Sequence, residues 1–444
     1  MKLAVVGAGW AGMAAAVRLT QDGHQVTVFE AARAIGGRAR ALPATLPDGR
    51  AVLLDNGQHI LIGAYRETLQ ALRTVGVDPQ TQLLRLPLCL RFPDGDGLAL
   101  PRWPAPLDAL AGILGARGWT WADKASLLRA AGAWHWQGFD CPPKLTVAAL
   151  CQGIRPRVMA TLIAPLCVSA LNTPLDCASG QVFLRVMRDA LLGGSGYSNL
   201  LLPTTDLSGL FPQRAAHWLD RHGGRLRLGQ RVDALTYAGG VQPHWCIAGE
   251  PFDTVVWATS SAVAAAALAD SGQDAPVSIA EQVHRWAGTA AALQFEAIAT
   301  VYAHAPGLRL ERPMLALRDT PAYPAQFVFD RGQLGGPEGL LAFVVSASTG
   351  GREALQAQVL DQAAVQLADQ LHGHDLRPVT TVVEKRATFA CTPALVRPPL
   401  AVAPGLLACG DYVQGPYPAT LEGAVVSAHA VALALRAAPN TGPP

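Results

Sequence analysis

The chain has 444 residues, enough for two or three domains and a large core. Its 35 basic and 33 acidic residues nearly cancel, which removes the electrostatic footprint of a nucleic-acid binder. Hydrophobic residues make up 50% and charged residues only 15%, against about 25% charged in ordinary soluble proteins. The chain therefore buries an unusual share of itself or carries an apolar surface patch.

Leu3-Ala4-Val5-Val6 is a short, continuously apolar run, the pattern of a parallel strand covered on both faces. Gly7-Ala8-Gly9-Trp10-Ala11-Gly12 follows and opens a helix carrying Met13 and Val17. Val26-Thr27-Val28-Phe29 is the second strand, with Glu30 at its end. In this strand, turn and helix context the glycine spacing is a dinucleotide fingerprint. Gly7 makes the tight turn, Gly9 lets backbone approach a pyrophosphate, and Gly12 lets helix and strand pack closely. Trp10 and Ala11 begin the helix whose free N–H groups face the phosphates. Glu30 is placed to accept the hydroxyls of an unphosphorylated ribose, as in FAD or NAD. The apolar N-terminus is thus read as strand and helix, not as an export signal.

Ala34-Ile35-Gly36-Gly37-Arg38-Ala39-Arg40 comes next. Gly36 and Gly37 let the chain pass close to the cofactor, and Arg38 can reach the pyrophosphate as a charge-assisted donor. Asp55-Asn56-Gly57-Gln58-His59 is a polar cluster between apolar segments, suited to a loop that passes the cofactor ring. His59 or Gln58 could donate to substrate or ring; His59 is equally readable as a satisfied structural histidine.

From about 80 to 200, turn residues give way to helical patterns at 119–136, 145–151, 157–170 and 179–192. Half of the ten tryptophans lie here: Trp103, Trp119, Trp121, Trp134 and Trp136. They read either as core packing or as a surface for the lipid headgroup boundary. From about 207 the nucleotide domain resumes, with a helix at 210–221 and strands at 224–228, 232–235 and 252–259. A second apolar region has strand-like runs at 293–302, 326–329 and 340–346 and a helix at 352–371. His372-Gly373-His374 lacks a third ligand nearby and reads as a surface loop, so no metal site is expected. Eight cysteines without a CxxC pair read as reduced core thiols of a cytosolic protein. No run reaches the roughly 18–20 apolar residues of a bilayer span.

Near the other end, Leu406-Leu407-Ala408-Cys409-Gly410-Asp411 precedes Tyr417-Pro418-Ala419-Thr420-Leu421-Glu422-Gly423-Ala424. Thr420 and Leu421 open a last helix, whose N-terminal dipole suits a negatively charged or electron-rich group. Glu422 in its first turn favours that dipole. The tail at 438–444 is expected to be disordered.

The Gly36-Gly37-Arg38 placement and the C-terminal Gly410-Asp411 resemble the flavin amine oxidase and phytoene desaturase superfamily. The run from Asp55 to Thr68, Pro165-Leu166 to Asn172, Pro203, and Lys385-Arg386-Ala387-Thr388-Phe389 are similar to its squalene-associated branch, the hydroxysqualene dehydroxylases of hopanoid synthesis. The resemblance spans nearly the whole chain. It implies FAD as cofactor, with Gly410 and Asp411 at the pyrophosphate–ribityl region, Gly57, Gln58 and His59 beside the flavin, and Val232 binding adenine through backbone. It implies an α/β fold with a discontinuous Rossmann-type FAD-binding domain (1–80, 207–270 and 400–437) and a mixed sheet-and-helix substrate domain (81–206 and 271–399). It further implies an apolar triterpenoid substrate, an unidentified electron donor for FAD, and a cytoplasmic protein that associates reversibly with the inner membrane face. The implied reaction is reductive removal of an allylic hydroxyl, for which His59, Tyr417 and the carboxylates of the substrate domain are candidate proton donors. A related desaturase or amine oxidase, and a non-catalytic FAD-bound scaffold of a terpenoid assembly, are the alternatives.

Overall fold

The structure is a computed structural model and describes residues 1–240 and 243–437. The expected disordered tail at 438–444 lies outside the described residues. Strand β1 (Lys2–Val6), helix α1 (Trp10–Gln21) and strand β2 (Gln25–Glu30) form the opening unit. β1 pairs in parallel with β2 on one side and with Thr254–Trp257 on the other. Arg225–Leu228 extends the sheet beyond β2, Leu406–Ala408 extends it beyond Thr254–Trp257, and the antiparallel Ala401–Ala403 closes that edge. Leu3 and Val5 pack with α1 and with the last helix, Leu421–Ala437, while Ala4 and Val6 join Phe29, Val255 and Trp257 in a second cluster. Successive strand residues point to opposite faces, so a sheet covered on both sides requires the uninterrupted apolar run seen in the sequence.

A second, antiparallel sheet has the order Met314–Ala316, Phe327–Asp330, Leu340–Ser346, Phe295–His304, Arg377–Phe389. Ala299, Val301 and Ala303 pack against Leu355, Val359 and Ala363 of helix Arg352–Gln366. The alternate residues form the other face. There the register aligns Ser346, Ile298 and Glu384 in one row and Phe327, Val344, Thr300 and Val382 in the next.

Several expected elements differ. Residues 232–235 are not a strand: the strand Arg225–Leu228 ends at Gly229, whose φ of +69° turns the chain into a loop that carries Val232. The helix expected at 210–221 is two, Leu207–Leu210 and Pro212–Arg221, because Pro212 has no N–H to continue the first and restarts the second. At 157–170 the helical run contains a wider π segment, Met159–Ile163, directly before Pro165. The proline ring cannot sit under the carbonyl four residues earlier, and a local widening relieves that clash. The cysteines are only partly core thiols. Cys151, Cys167, Cys246, Cys391 and Cys409 are buried, but Cys177 is exposed and Cys89 and Cys141 are half-buried. Burial pushes the Cys151, Cys167, Cys391 and Cys409 thiols up to about 12, so they stay protonated and unreactive at neutral pH.

Glu422 caps a helix other than its own. One carboxylate oxygen accepts from Glu67 N at 3.0 Å, and the other accepts from Thr68 N at 2.9 Å and Thr68 Oγ1 at 2.6 Å. These donors belong to the first turn of Arg66–Thr74, so the last helix closes the N-terminus of a helix some 350 residues earlier in the chain. Its own N-terminus is capped by Thr420, whose Oγ1 accepts from Gly423 N at 2.9 Å. Glu422→Ala leaves the three donors without a protein acceptor and is expected to destabilise by about 2–3 kcal/mol. Burial raises the Glu422 pKa, so its contribution is full in acid and declines as pH rises through the raised value. Denaturant melts at several pH values should show the Ala variant's deficit shrinking toward neutrality; a deficit that grows with pH would contradict this.

Candidate active site

The two chain ends and the antiparallel sheet enclose one cavity of about 820 Å³. Gly7, Gly9, Trp10, Ala11, Glu30, Gly36, Gly37, Arg38, Gly57, Gln58, His59, Val232, Gly410, Asp411, Thr420 and Leu421 all line it. Gly12 does not: a Cβ there would stand 1.9 Å from Gly7 O and 3.2 Å from Ala258 Cβ, so its role is the close packing of α1 on the sheet. Tyr417 does not line it either.

The cavity fits a dinucleotide cofactor on its backbone geometry. A Cβ on Gly9 would meet only Gly37 Cα at 3.9 Å, and a Cβ on Gly37 only Gly9 Cα at 3.2 Å. The two glycines face each other across a slot walled by backbone, which side chains would fill. Gly9 and Gly36 are held in register by a parallel bridge, and Gly36 N donates to Ala8 O at 2.9 Å. Glu30 sits at the end of β2, its two oxygens accepting from Ala8 N and Ala32 N, both at 2.8 Å. A carboxylate oxygen has a second lone pair, so Glu30 keeps acceptor capacity for ribose hydroxyls.

Arg38 lines the cavity and is also engaged within the protein. Its guanidinium donates to Asp411 at 2.6 Å and to Ala387 O at 2.6 Å. Burial acts to lower its pKa, but the charge and hydrogen bond of Asp411 outweigh that and raise it. Arg38 thereby ties the Gly36-Gly37 loop to the C-terminal motif and to the strand Arg377–Phe389. Gln58 is likewise held: its Oε1 accepts from Arg331 Nη1 at 3.0 Å, and Arg331 lies 3.5 Å from the buried Asp55. Burial pushes the Asp55 carboxyl up to about 6, against the pull of Arg331.

Of the candidate proton donors, His59 and Tyr417 both have hydrogen-bond partners within the protein. His59 Nδ1 lies 2.8 Å from Gly57 O. A carbonyl only accepts, so Nδ1 carries the hydrogen, and burial lowers the ring's pKa, which leaves a neutral imidazole with an unprotonated Nε2. In that form His59 can accept a hydrogen bond at Nε2. The Tyr417 hydroxyl donates to Asp189 at 3.1 Å, and burial pushes it up to about 12.

Sequence reasoning singled out none of the substrate-sheet wall by residue: Ile298, Phe327, Phe329, Val344, Ser346, Val382 and Glu384, the last covered only as one of the substrate-domain carboxylates. Glu384 accepts from Asn56 Nδ2 at 3.2 Å and from Arg386 N at 3.2 Å. The signal for it was its place directly before the Lys385–Phe389 run. Asn172, in left-handed conformation after the helix Ala164–Leu171, also lines the cavity and braces three strands, bonding Thr388 Oγ1, Glu296 O and Ala347 N.

A parallel sheet ending on a glycine slot, an acid at the end of β2, and a distant Gly-Asp and helix start closing the same cavity define an FAD-dependent oxidoreductase. The chain belongs to the flavin containing amine oxidoreductase family, which it matches over residues 10–435. It is 27% identical to the hydroxysqualene dehydroxylase of Rhodopseudomonas palustris, with 96% of each chain covered. It is also 27% identical to that of Sinorhizobium fredii, again over 96% of each. Its fold resembles an oxidoreductase from Methanosarcina mazei, with a TM-score of 0.67 over 97% of this chain and 99% of that one at 16% identity.

Proposed function

We propose that this oxidoreductase reductively removes the allylic hydroxyl of hydroxysqualene to give squalene. The observation that carries the reading is the hydrocarbon wall of the cavity, Ile298, Phe327, Phe329, Val344 and Val382, with the Glu384 carboxylate of the same sheet also in the lining. The full-length similarity to two hydroxysqualene dehydroxylases supports the choice of substrate. Bound reduced FAD supplies a hydride equivalent. The chain's own tasks are to protonate the hydroxyl so that water leaves with the C–O electron pair, to tolerate the allylic cation, and to exclude water. The faces of Phe327 and Phe329 suit the cation, and the apolar wall suits the last task. His59 Nε2 is an acceptor able to orient the hydroxyl, and Glu384, in its protonated carboxylic acid form, is the group assigned to supply the proton, becoming a carboxylate as water leaves. Anaerobic incubation of chemically reduced protein with hydroxysqualene, followed by product analysis, tests the reading: squalene is expected, and recovery of unchanged alcohol would reject it.

A further inference from the structure

The tryptophan-rich segment divides into two sets. Trp119 and Trp134 are core residues, whereas Trp103, Trp121 and Trp136 are 57%, 74% and 91% exposed. Beside them the short helix Leu107–Leu114 exposes Leu107, Leu110 and Leu114, at spacings of three and four that put them on one face. The two helices are tied together: Lys124 Nζ donates to Leu114 O at 2.6 Å and lies 4.9 Å over the Trp121 ring. On helix Trp121–Trp136, Trp121 and Trp136 lie about 60° apart around the axis and about 22 Å apart along it. Exposed Ala125, Gly132 and Arg129 lie between them on that side. The helix thus offers a long, nearly flat face with an indole at each end.

From residue 100 to residue 136 the exposed charge has one sign. Between residues 100 and 136, Arg102, Arg117 and Arg129 are exposed and Lys124 is half-buried. Both acids of the stretch are buried, Asp108 at 5% and Asp123 at 4% exposure, and Asp123 is paired with Arg155. Asp96, which lies beside Gly118, is paired with Arg318, as is Asp94. Exposed indoles and leucines among unopposed arginines match the interface of an anionic bilayer, where indole rings sit at headgroup level and basic side chains meet lipid phosphates.

The surface also connects to the cavity. Trp119 Nε1 donates to Thr161 Oγ1 at 2.9 Å in the π segment Met159–Ile163. That segment continues into Ala164–Leu171, whose Val168, Ser169 and Ala170 line the cavity.

We infer that the face formed by Trp103, Leu107, Leu110, Leu114, Trp121 and Trp136 docks the protein on an anionic lipid bilayer, beside the helical run that walls the substrate cavity. The inference goes beyond the proposed reaction and is tested without turnover. Flavin-loaded protein is sedimented with vesicles of phosphatidylcholine alone or mixed with phosphatidylglycerol. It should partition onto the mixed vesicles, less so as salt rises. The exposed triple variant Leu110→Glu/Trp121→Ala/Trp136→Ala should lose at least roughly tenfold in partition with flavin content and melting temperature unchanged. Arg102→Glu, Arg117→Glu and Arg129→Glu should each cost roughly fivefold or more on anionic vesicles only. The inference is overturned by a wild-type protein that stays in the supernatant with both vesicles or binds them equally, by a triple variant that partitions like wild type, or by wild-type self-association through this face that the triple variant abolishes. Conversion of detergent-dispersed hydroxysqualene is a separate measurement, so either reading can fail alone.

Discussion

Gly9→Val should yield a protein that folds normally and carries no flavin. Gly9 has φ −76° and ψ −177°, an extended conformation open to any residue, and its Cβ direction meets only Gly37 Cα at 3.9 Å. The apoprotein therefore has room for a Cβ, and the methyl groups of valine would fill the slot that a pyrophosphate must cross. Overpacking there is expected to cost flavin affinity at least about a hundredfold. Gly12→Val, three residues on, should fail differently. Its Cβ would lie 1.9 Å from Gly7 O, so α1 could not sit on β1 and little folded protein should be recovered. Circular dichroism and flavin absorbance on both purified variants separate the two roles. A folded, yellow Gly9→Val protein would remove the slot from the cofactor site.

Glu384→Gln should slow formation of squalene by reduced protein on the order of 10²–10⁴-fold, the usual size of a general-acid contribution. Glutamine retains an oxygen to accept from Asn56 Nδ2, so the loop at 55–59 should keep its place and flavin content should not change. A structural role is distinguished by changing the leaving group. The acetate ester of hydroxysqualene leaves without full protonation, and its conversion should fall far less than that of the alcohol. Equal losses on alcohol and ester, or an alcohol rate within threefold of wild type (about 0.6 kcal/mol), would remove Glu384 from the chemistry.

What the sequence made legible was local. The glycine fingerprint, β2 with its terminal Glu30, and the Gly410-Asp411 and Thr420 pair are short motifs whose backbone demands are written in a few residues. The parallel sheet followed from uninterrupted apolar runs. What it hid depended on register or on partners far along the chain. Glu384 faces the cavity because it lies in one row with Ile298 and Ser346, which only the pairing of three strands fixes. Arg38 meets Asp411 across 373 residues, and Glu422 caps a helix 354 residues away. The proton on His59 is settled by the carbonyl of Gly57, two residues earlier, whose direction depends on the turn at Gly57 with φ +97°. On helix Trp121–Trp136 the phase turns Trp134 inward and leaves Trp121 and Trp136 outside, while Trp119 precedes the Thr120 cap and is buried from outside the helix.

The central claim is a direction of electron flow, and flavin absorbance under anaerobic conditions reads it directly. Protein carrying oxidised FAD is expected to leave hydroxysqualene unchanged and its own spectrum unaltered. Protein reduced beforehand should regain oxidised-flavin absorbance on addition of the alcohol, one equivalent for each squalene formed. Squalene produced equally well by the oxidised protein would contradict the account, as would bleaching of oxidised flavin by squalene or a carotenoid precursor, which would identify a desaturase.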